Sequence, residues 1–343
     1  MTDLDFLREY NGSALRIMEV CGTHTAAIFK SGIRSFLSPK IRLVSGPGCP
    51  VCVTVPGYID RCIEISMREG HELLCFGDLL KVPGTERTLS DAKGVGGRVR
   101  MLWSPFDAIA LAKGEPETVF VVAAIGFETT APAFGLLLEE AEAQGVDNLR
   151  LITSLKSAVA AIDWVCAMGE EVDAFICPGH VSVVTGADAY SPLAERYGKP
   201  FVVAGFEGKS LAAAVRVAAE DAAKGRGGVR NLYAEAVSAE GNARAQAVIE
   251  RHFEVRDEVW RGLGTVPASG YFLRGVDQPS GFASHEEQAT CRCEDVILGR
   301  IDPNECPLFG GECTPTQAVG PCMVSAEGAC GTWYRGRAEG LGL

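Results

Sequence analysis

Two cysteines separated by two residues, Cys49-Pro-Val-Cys52, form the clearest chemical unit in the chain. That spacing lets two thiols close a disulfide or clamp one metal, and in an α/β setting it commonly depresses a thiol pKa. The Gly46-Pro-Gly frame before it fixes the loop and lets backbone approach whatever binds. A third thiol, Cys21, opens the run Cys21-Gly-Thr-His-Thr25. It ends a strand-like segment and precedes a helix start, so the helix N-terminus is expected to favour its thiolate. His24 follows three residues later, close enough to act as base, hydrogen-bond partner or ligand. Two other strand-end loops carry protonatable groups. Glu128 lies in Gly126-Phe-Glu-Thr-Thr-Ala-Pro132, as proton carrier or as cap of the next helix, and His180 lies in Cys177-Pro-Gly-His-Val-Ser182. Cys62, Cys75 and Cys166 fall in apolar patterns and read as small core hydrophobes.

Six more thiols, Cys291, Cys293, Cys306, Cys313, Cys322 and Cys330, crowd into Pro- and Gly-rich sequence. Four thiolates hold a 4Fe–4S cluster, which would leave two to pair as a redox disulfide; spacing alone leaves open which four. A structural zinc site is the competing reading. Either way, metal–thiolate bonds would staple a stretch with little periodic structure of its own.

The rest of the chain must position these groups. Its 343 residues exceed one ordinary core and suggest two or three domains. A 47% hydrophobic and 22% charged composition excludes wholesale disorder. Thirty-two basic against 44 acidic residues leave a net charge of −12, with no Lys/Arg-rich run. That balance argues against nucleic acid or an anionic membrane surface as main partner. The apolar stretch around Val119–Ile125 is far short of a membrane span, and the acidic start Met1-Thr-Asp-Leu-Asp has no apolar h-region. A cytoplasmic protein is expected, and reducing cytosol opposes a stabilising framework made from its 13 cysteines.

Strand-like runs are expected at residues 15–20, 41–44, 72–76, 98–103, 118–125, 149–153, 174–176 and 201–204. Helical patterns follow several of them, at 58–69, 105–113, 131–144 and 210–224, with another at 243–252. The alternation argues for α/β layers around parallel sheets. About eight strands exceed one small sheet, so two parallel-sheet α/β domains, residues 1–115 and 116–230, are expected. Gly114-Glu-Pro116 would form the hinge, and the weakly periodic residues 231–343 carry the C-terminal cysteines. Gly94-Val-Gly-Gly97 lacks a third glycine and precedes its strand, and Gly208-Lys-Ser210 lacks the leading glycine of a P-loop. Neither ATP nor a dinucleotide is called for.

Taken together, the motifs resemble the HypD family of NiFe-hydrogenase maturation proteins. The matching segments are 21–25, 46–52, 126–132, 178–182, Trp260-Arg-Gly-Leu-Gly264 and the terminal cysteine segments around Cys306, Cys322 and Cys330. They cover essentially the whole chain in order. One stretch departs: Leu151-Ile-Thr-Ser-Leu-Lys-Ser-Ala-Val-Ala160 stands where the family pattern leads one to expect His and Pro.

The resemblance implies a scaffold on which the Fe(CN)2CO group of NiFe hydrogenase is assembled. A HypC-type chaperone and a HypE-type cyanide donor would be its partners. It implies two α/β domains facing a central assembly cleft, with Cys21, Cys49 and Cys52 as iron-binding thiols. It also implies a third C-terminal iron–sulfur domain, residues 231–343, with a 4Fe–4S cluster on Cys291, Cys306, Cys313 and Cys330 and a redox disulfide between Cys293 and Cys322. His24, Glu128 and His180 would support that cleft. An alternative function is a ferredoxin-dependent thiol–disulfide reductase acting through Cys49 and Cys52, which requires those thiols to be exposed. A zinc-stabilised binding module without redox chemistry is the third reading.

Overall fold

The computed structural model describes residues 2–278, 282 and 291–338. Among the described residues eleven strands run in chain order: β1 (Leu15–Glu19), β2 (Ile41–Ser45), β3 (His71–Cys75), β4 (Val99–Met101), β5 (Val119–Gly126), β6 (Leu149–Lys156), β7 (Ala174–Pro178), β8 (Pro200–Ala204), β9 (Gly228–Asn231), β10 (Phe253–Trp260) and β11 (Gly264–Leu273). They form two sheets, β2-β1-β7-β8-β9 and β10-β11-β6-β5-β3-β4. The α/β layering matches the expectation.

Every pair in the first sheet is parallel. Its strands bury both faces, as such sheets must. Ile17, Leu43, Ile176 and Val202 pack on the helix Gly208–Ala223 through Leu211, Val215 and Ala218. The alternate residues Met18, Val44, Phe175 and Phe201 face the other way, toward Cys49 and Cys52. Phe175 and Phe201 are register partners on β7 and β8, and their rings stack 5.1 Å apart.

The second sheet is mixed rather than parallel. β4, β3, β5 and β6 are parallel, while β11 adds antiparallel to β6 and β10 to β11. Cys62 and Cys75 lie in its core beside Tyr58, Ile59 and Leu73, with both thiols pushed up by burial. They are small hydrophobes, as is the buried Cys166.

Strand pairing crosses both expected boundaries. β3, before residue 115, pairs with β5 after it, and β1 pairs with β7. β10 and β11, beyond residue 230, complete the second sheet. The chain leaves the first sheet after β2, builds most of the second, and returns. A division in chain order assumes neighbours in sequence are neighbours in space, a tendency that fails here.

The C-terminal segment has short helices at Cys293–Ile297, Pro321–Val324 and Ala329–Ala338. It packs on the helix Gly22–Lys30: Phe29 meets Trp333 edge-on at 5.0 Å, and Thr23 Oγ1 donates to Glu327 Oε1 at 3.1 Å. Among the described residues no helix is long and apolar enough to cross a membrane.

Candidate functional site

Because the first sheet is parallel, the loops leaving its strands emerge at one edge, where ligands of open α/β sheets bind. Cys21 follows β1, Cys49 and Cys52 follow β2, His180 follows β7 and Phe206 follows β8. The first two loops interlock. Gly22 N donates to Gly48 O at 3.2 Å, and a Cβ added to Gly48 would lie 2.6 Å from the Cys21 Cα. Only glycine permits that approach.

Cys21 caps the helix Gly22–Lys30 but is buried. Burial pushes its thiol up to about 12, with Glu19 and Glu327 adding to the rise and the backbone N–H groups of His24 and Thr23 opposing it. The expected thiolate is therefore not favoured in this conformation. The helix terminus acts in the anticipated direction, and desolvation outweighs it. A metal would reverse the balance by displacing the proton.

Glu19 escaped sequence reasoning. It is buried, accepts from Cys21 N at 3.2 Å and from Thr25 Oγ1, and is pushed up to about 7 by burial. A carboxylate closing the apolar strand Leu15–Glu19 was the available signal.

His24 is buried, with Nε2 3.2 Å from Ala204 O, and burial pushes its pKa down to about 4. Its Nδ1 has no partner among the described residues. His180 is exposed. The two histidines meet through Phe206, whose ring lies 4.9 Å from that of His24 and 4.0 Å from that of His180.

Glu128 belongs to the second sheet's edge. Its carboxylate accepts from Ser157 Oγ at 2.7 Å and Ala158 N at 3.1 Å, and burial raises its pKa. It caps the helix Ala158–Ala167 and not, as expected, the helix directly after it. The divergent stretch 151–160 contributes Lys156, whose side chain is wholly buried. Lys156 Nζ donates to Ser154 Oγ at 3.0 Å and stands 4.0 Å from Glu258; burial pushes its pKa down to about 8.

Cys49 and Cys52 are joined as a disulfide and are 5% and 1% exposed. A protein disulfide cannot reach them in this conformation, which counts against the reductase reading. Cys49 and Cys52 instead share a small pocket with Cys322 and Ile297. Cys52 Sγ lies 3.9 Å from Pro321 O, and Cys322 Sγ is 2.7 Å from Cys293 Sγ. The β10–β11 hairpin tip braces both sides: Arg261 N donates to Val53 O at 2.9 Å, and Gly262 packs on Ile297 and Glu294. Contacts from Cys291 and then Cys322, with Arg261's charge nearby, hold the Cys293 thiol down. The same contact from Cys293 pushes Cys322 up.

All six C-terminal cysteines line one pocket with Val296, Leu308, Phe309 and Met323. Among the described residues no three His, Cys, Asp or Glu are arranged as a ready chelate for one metal ion. The donor chemistry fits an iron–sulfur cluster, whose thiolates each bind a different iron and accept backbone hydrogen bonds. Val319 N donates to Cys313 Sγ at 3.4 Å, and Gly320 leaves Cys291 Sγ the space that a Cβ would fill, 2.7 Å away.

The HypD family model, described as the hydrogenase formation hypA family, matches residues 4–337. The chain is 42% identical over 335 residues to the hydrogenase maturation factor HypD of Azotobacter vinelandii, covering 93% of this chain and 88% of that protein. It is 40% identical to the HypD of Escherichia coli (strain K12), over 95% of this chain and 90% of that one. The HypD of Rhodobacter capsulatus is 39% identical, with 94% and 89% covered.

Proposed function

The chain belongs to the HypD family of hydrogenase maturation factors, and from that premise we propose that it is the scaffold on which an iron bearing cyanide and carbonyl ligands is assembled. The supporting observation is the interlocked pair of loops that sets Cys21 beside the Cys49–Cys52 loop at one sheet edge. Soft thiolates suit low-spin Fe(II) carrying such ligands. In the proposal the iron is cargo. Cys21 gives up its thiol proton to bind it, a HypC-type chaperone supplies another thiolate, and open positions receive the diatomic ligands, cyanide arriving from a HypE-type donor. Glu19 holds the Cys21 backbone through its amide, and the His24–Phe206–His180 stack walls the site.

In the same proposal the thiols of Cys293 and Cys322 exchange with the Cys49–Cys52 disulfide, a reading supported by the pocket that Cys322 shares with both. Two electrons and two protons would pass, leaving a disulfide at 293–322 and two thiols at 49 and 52. Cys291, Cys306, Cys313 and Cys330 would hold a 4Fe–4S cluster, which when bound supplies one-electron chemistry next to that pair.

Infrared spectroscopy of the protein co-purified anaerobically with its chaperone tests the reading. Bands of metal-bound cyanide and carbonyl are expected, in a region where protein does not absorb. Their absence from a complex that contains iron would overturn the scaffold role.

A further inference from the structure

We propose that the edge of the first sheet opposite the cysteines is a docking groove for a short, extended acidic segment of a partner protein. The inference is independent of the iron chemistry. A groove of about 770 Å³ runs along the starts of β2, β1, β7 and β8, lined by the cationic side chains of Arg16, Lys40, Arg42, Lys199 and Arg226. Among the described residues only two carboxylates, Glu171 and Asp173, share it. On a chain of net charge −12, such a surface is the exception.

Most of these cations are held in place without being neutralised. The Arg16 guanidinium donates to the carbonyls of Glu171 and Arg300, at 3.4 and 3.5 Å, and Lys199 Nζ donates to Val172 O. Carbonyl oxygens orient a cation and leave its charge intact. Arg226 reaches Asp221 only at 4.0 Å, and that carboxylate already binds Arg230 at 2.8 Å. Among the described residues Lys40 has no carboxylate partner within ion-pair distance, and Arg42 alone is paired closely, with Asp302 and Glu305. Asp173 is occupied in accepting from Arg16 N at 2.7 Å.

The spacing selects the occupant. Four adjacent strands lie about 4.8 Å apart, so the groove spans roughly 14 Å, the length of about four extended residues. The cations are spread along that line and do not converge on a point, as a phosphate would require. The chain's negative field repels long polyanions, while a few carboxylates on a peptide meet the local surplus.

The test uses the full chain and a fluorescein-labelled Glu-Asp-Glu-Asp-Glu peptide, followed by fluorescence anisotropy. Binding is expected to weaken about tenfold as salt rises from about 50 to about 500 mM. It should weaken about tenfold again in Lys40→Glu/Arg226→Glu, since each exposed pair contributes modestly. The milder Lys40→Gln/Arg226→Gln should show the same trend, with thermal unfolding unchanged in both. Equal binding of an all-serine peptide, or indifference to both double variants, overturns the proposal. So does the absence of binding at low salt, and displacement by millimolar inorganic phosphate would mark a small-anion site instead.

Discussion

Gly48 lies so close to Cys21 that a Cβ on Gly48 would fall 2.6 Å from the Cys21 Cα. The constraint is steric: Gly48 is not among the residues with positive φ. Because the obstacle is backbone, it cannot swing aside as a side-chain end would. Gly48→Ala is therefore expected to push the Cys49 loop away from Cys21 and to destabilise the protein by about 1–3 kcal/mol. Urea unfolding measures the loss, and alkylation of Cys21 in the native protein should accelerate. Wild-type stability with an unreactive Cys21 would show that the loops do not depend on this contact.

Lys156 supplies a pH signature. Its pKa falls from 10.5 to about 8 because burial disfavours the ammonium, while Glu258 opposes the fall. Between those values the unfolded chain binds the proton more tightly than the folded one, so stability rises with pH through the window. Below pH 8 the folded protein carries the full penalty, on the order of 3 kcal/mol for a wholly buried group. Lys156→Met should abolish this rise when compared in a Glu258→Gln background, which avoids leaving a buried carboxylate unpaired. Unfolding free energies of the two proteins at pH about 7.5 and about 10 decide the matter. Identical pH slopes would refute the assignment.

The parts of the molecule that were legible in the sequence are those set by local pattern. β1 to β8 are apolar runs, all but β6 followed by a Gly- or Pro-containing loop, and the loops after β1 and β2 do meet, with Gly48 against Cys21. β10 was hidden because Phe253-Glu-Val-Arg-Asp-Glu-Val-Trp260 loses its alternation at a register shift near Arg256, and β11 carries Pro267. The ionisation of Cys21 was illegible for a different reason. It depends on burial, and its surroundings include Glu327, some 300 positions away. Glu128 likewise finds its partners at Ser157 and Ala158, on the next strand's loop. Local sequence identifies the group, and long-range packing decides its state.

The C-terminal thiols divide into two kinds of expected behaviour. Serine at Cys291, Cys306, Cys313 or Cys330 removes a ligand of the proposed cluster and should lower both iron and acid-labile sulfide in anaerobically purified protein. Serine at Cys293 or Cys322 should leave both contents near wild type. Full iron and sulfide in the first set would move the ligands elsewhere, and metal analysis finding zinc in place of iron would replace the cluster altogether.

Gly262 allows a test of coupling between the thiol pairs. It has φ +77°, and a Cβ there would lie 2.9 Å from Ile297 Cδ1 and 3.1 Å from the Glu294 Cα. Valine at this position should force the hairpin tip off the Cys293 helix, while the Arg261–Val53 contact ties the same tip to the Cys52 loop. Gly264→Val is the control: its φ is +71°, but nothing lies within 4 Å. Both variants bear the backbone strain of a β-branched residue, and only the first meets an obstacle. With the protein fully reduced and then given limiting oxidant, mass spectrometry should find disulfide equilibrating between 293–322 and 49–52 in the control. Gly262→Val should slow that exchange about tenfold or more, a barrier rise of roughly 1.4 kcal/mol. Equal rates in the two variants would show that the hairpin does not position the pairs.

Cys21 should matter most for holding the iron cargo. Its neighbours Cys49 and Cys52 are tied to each other in the disulfide, whereas Cys21 is a free thiol. It sits at the helix terminus where the His24 and Thr23 N–H groups favour negative charge on sulfur. Burial keeps the proton on until a metal displaces it, so the site is poised for a soft metal and inert toward ordinary alkylation. Cys21→Ala removes one small buried sulfur and leaves Gly48, Glu19 and the helix Gly22–Lys30 in place, so folding and the C-terminal iron should survive. The cyanide and carbonyl infrared bands of the chaperone complex should vanish. If they persist at wild-type strength in Cys21→Ala and disappear in Cys49→Ala/Cys52→Ala, the iron is carried by the second loop, and Cys21 serves only to anchor it.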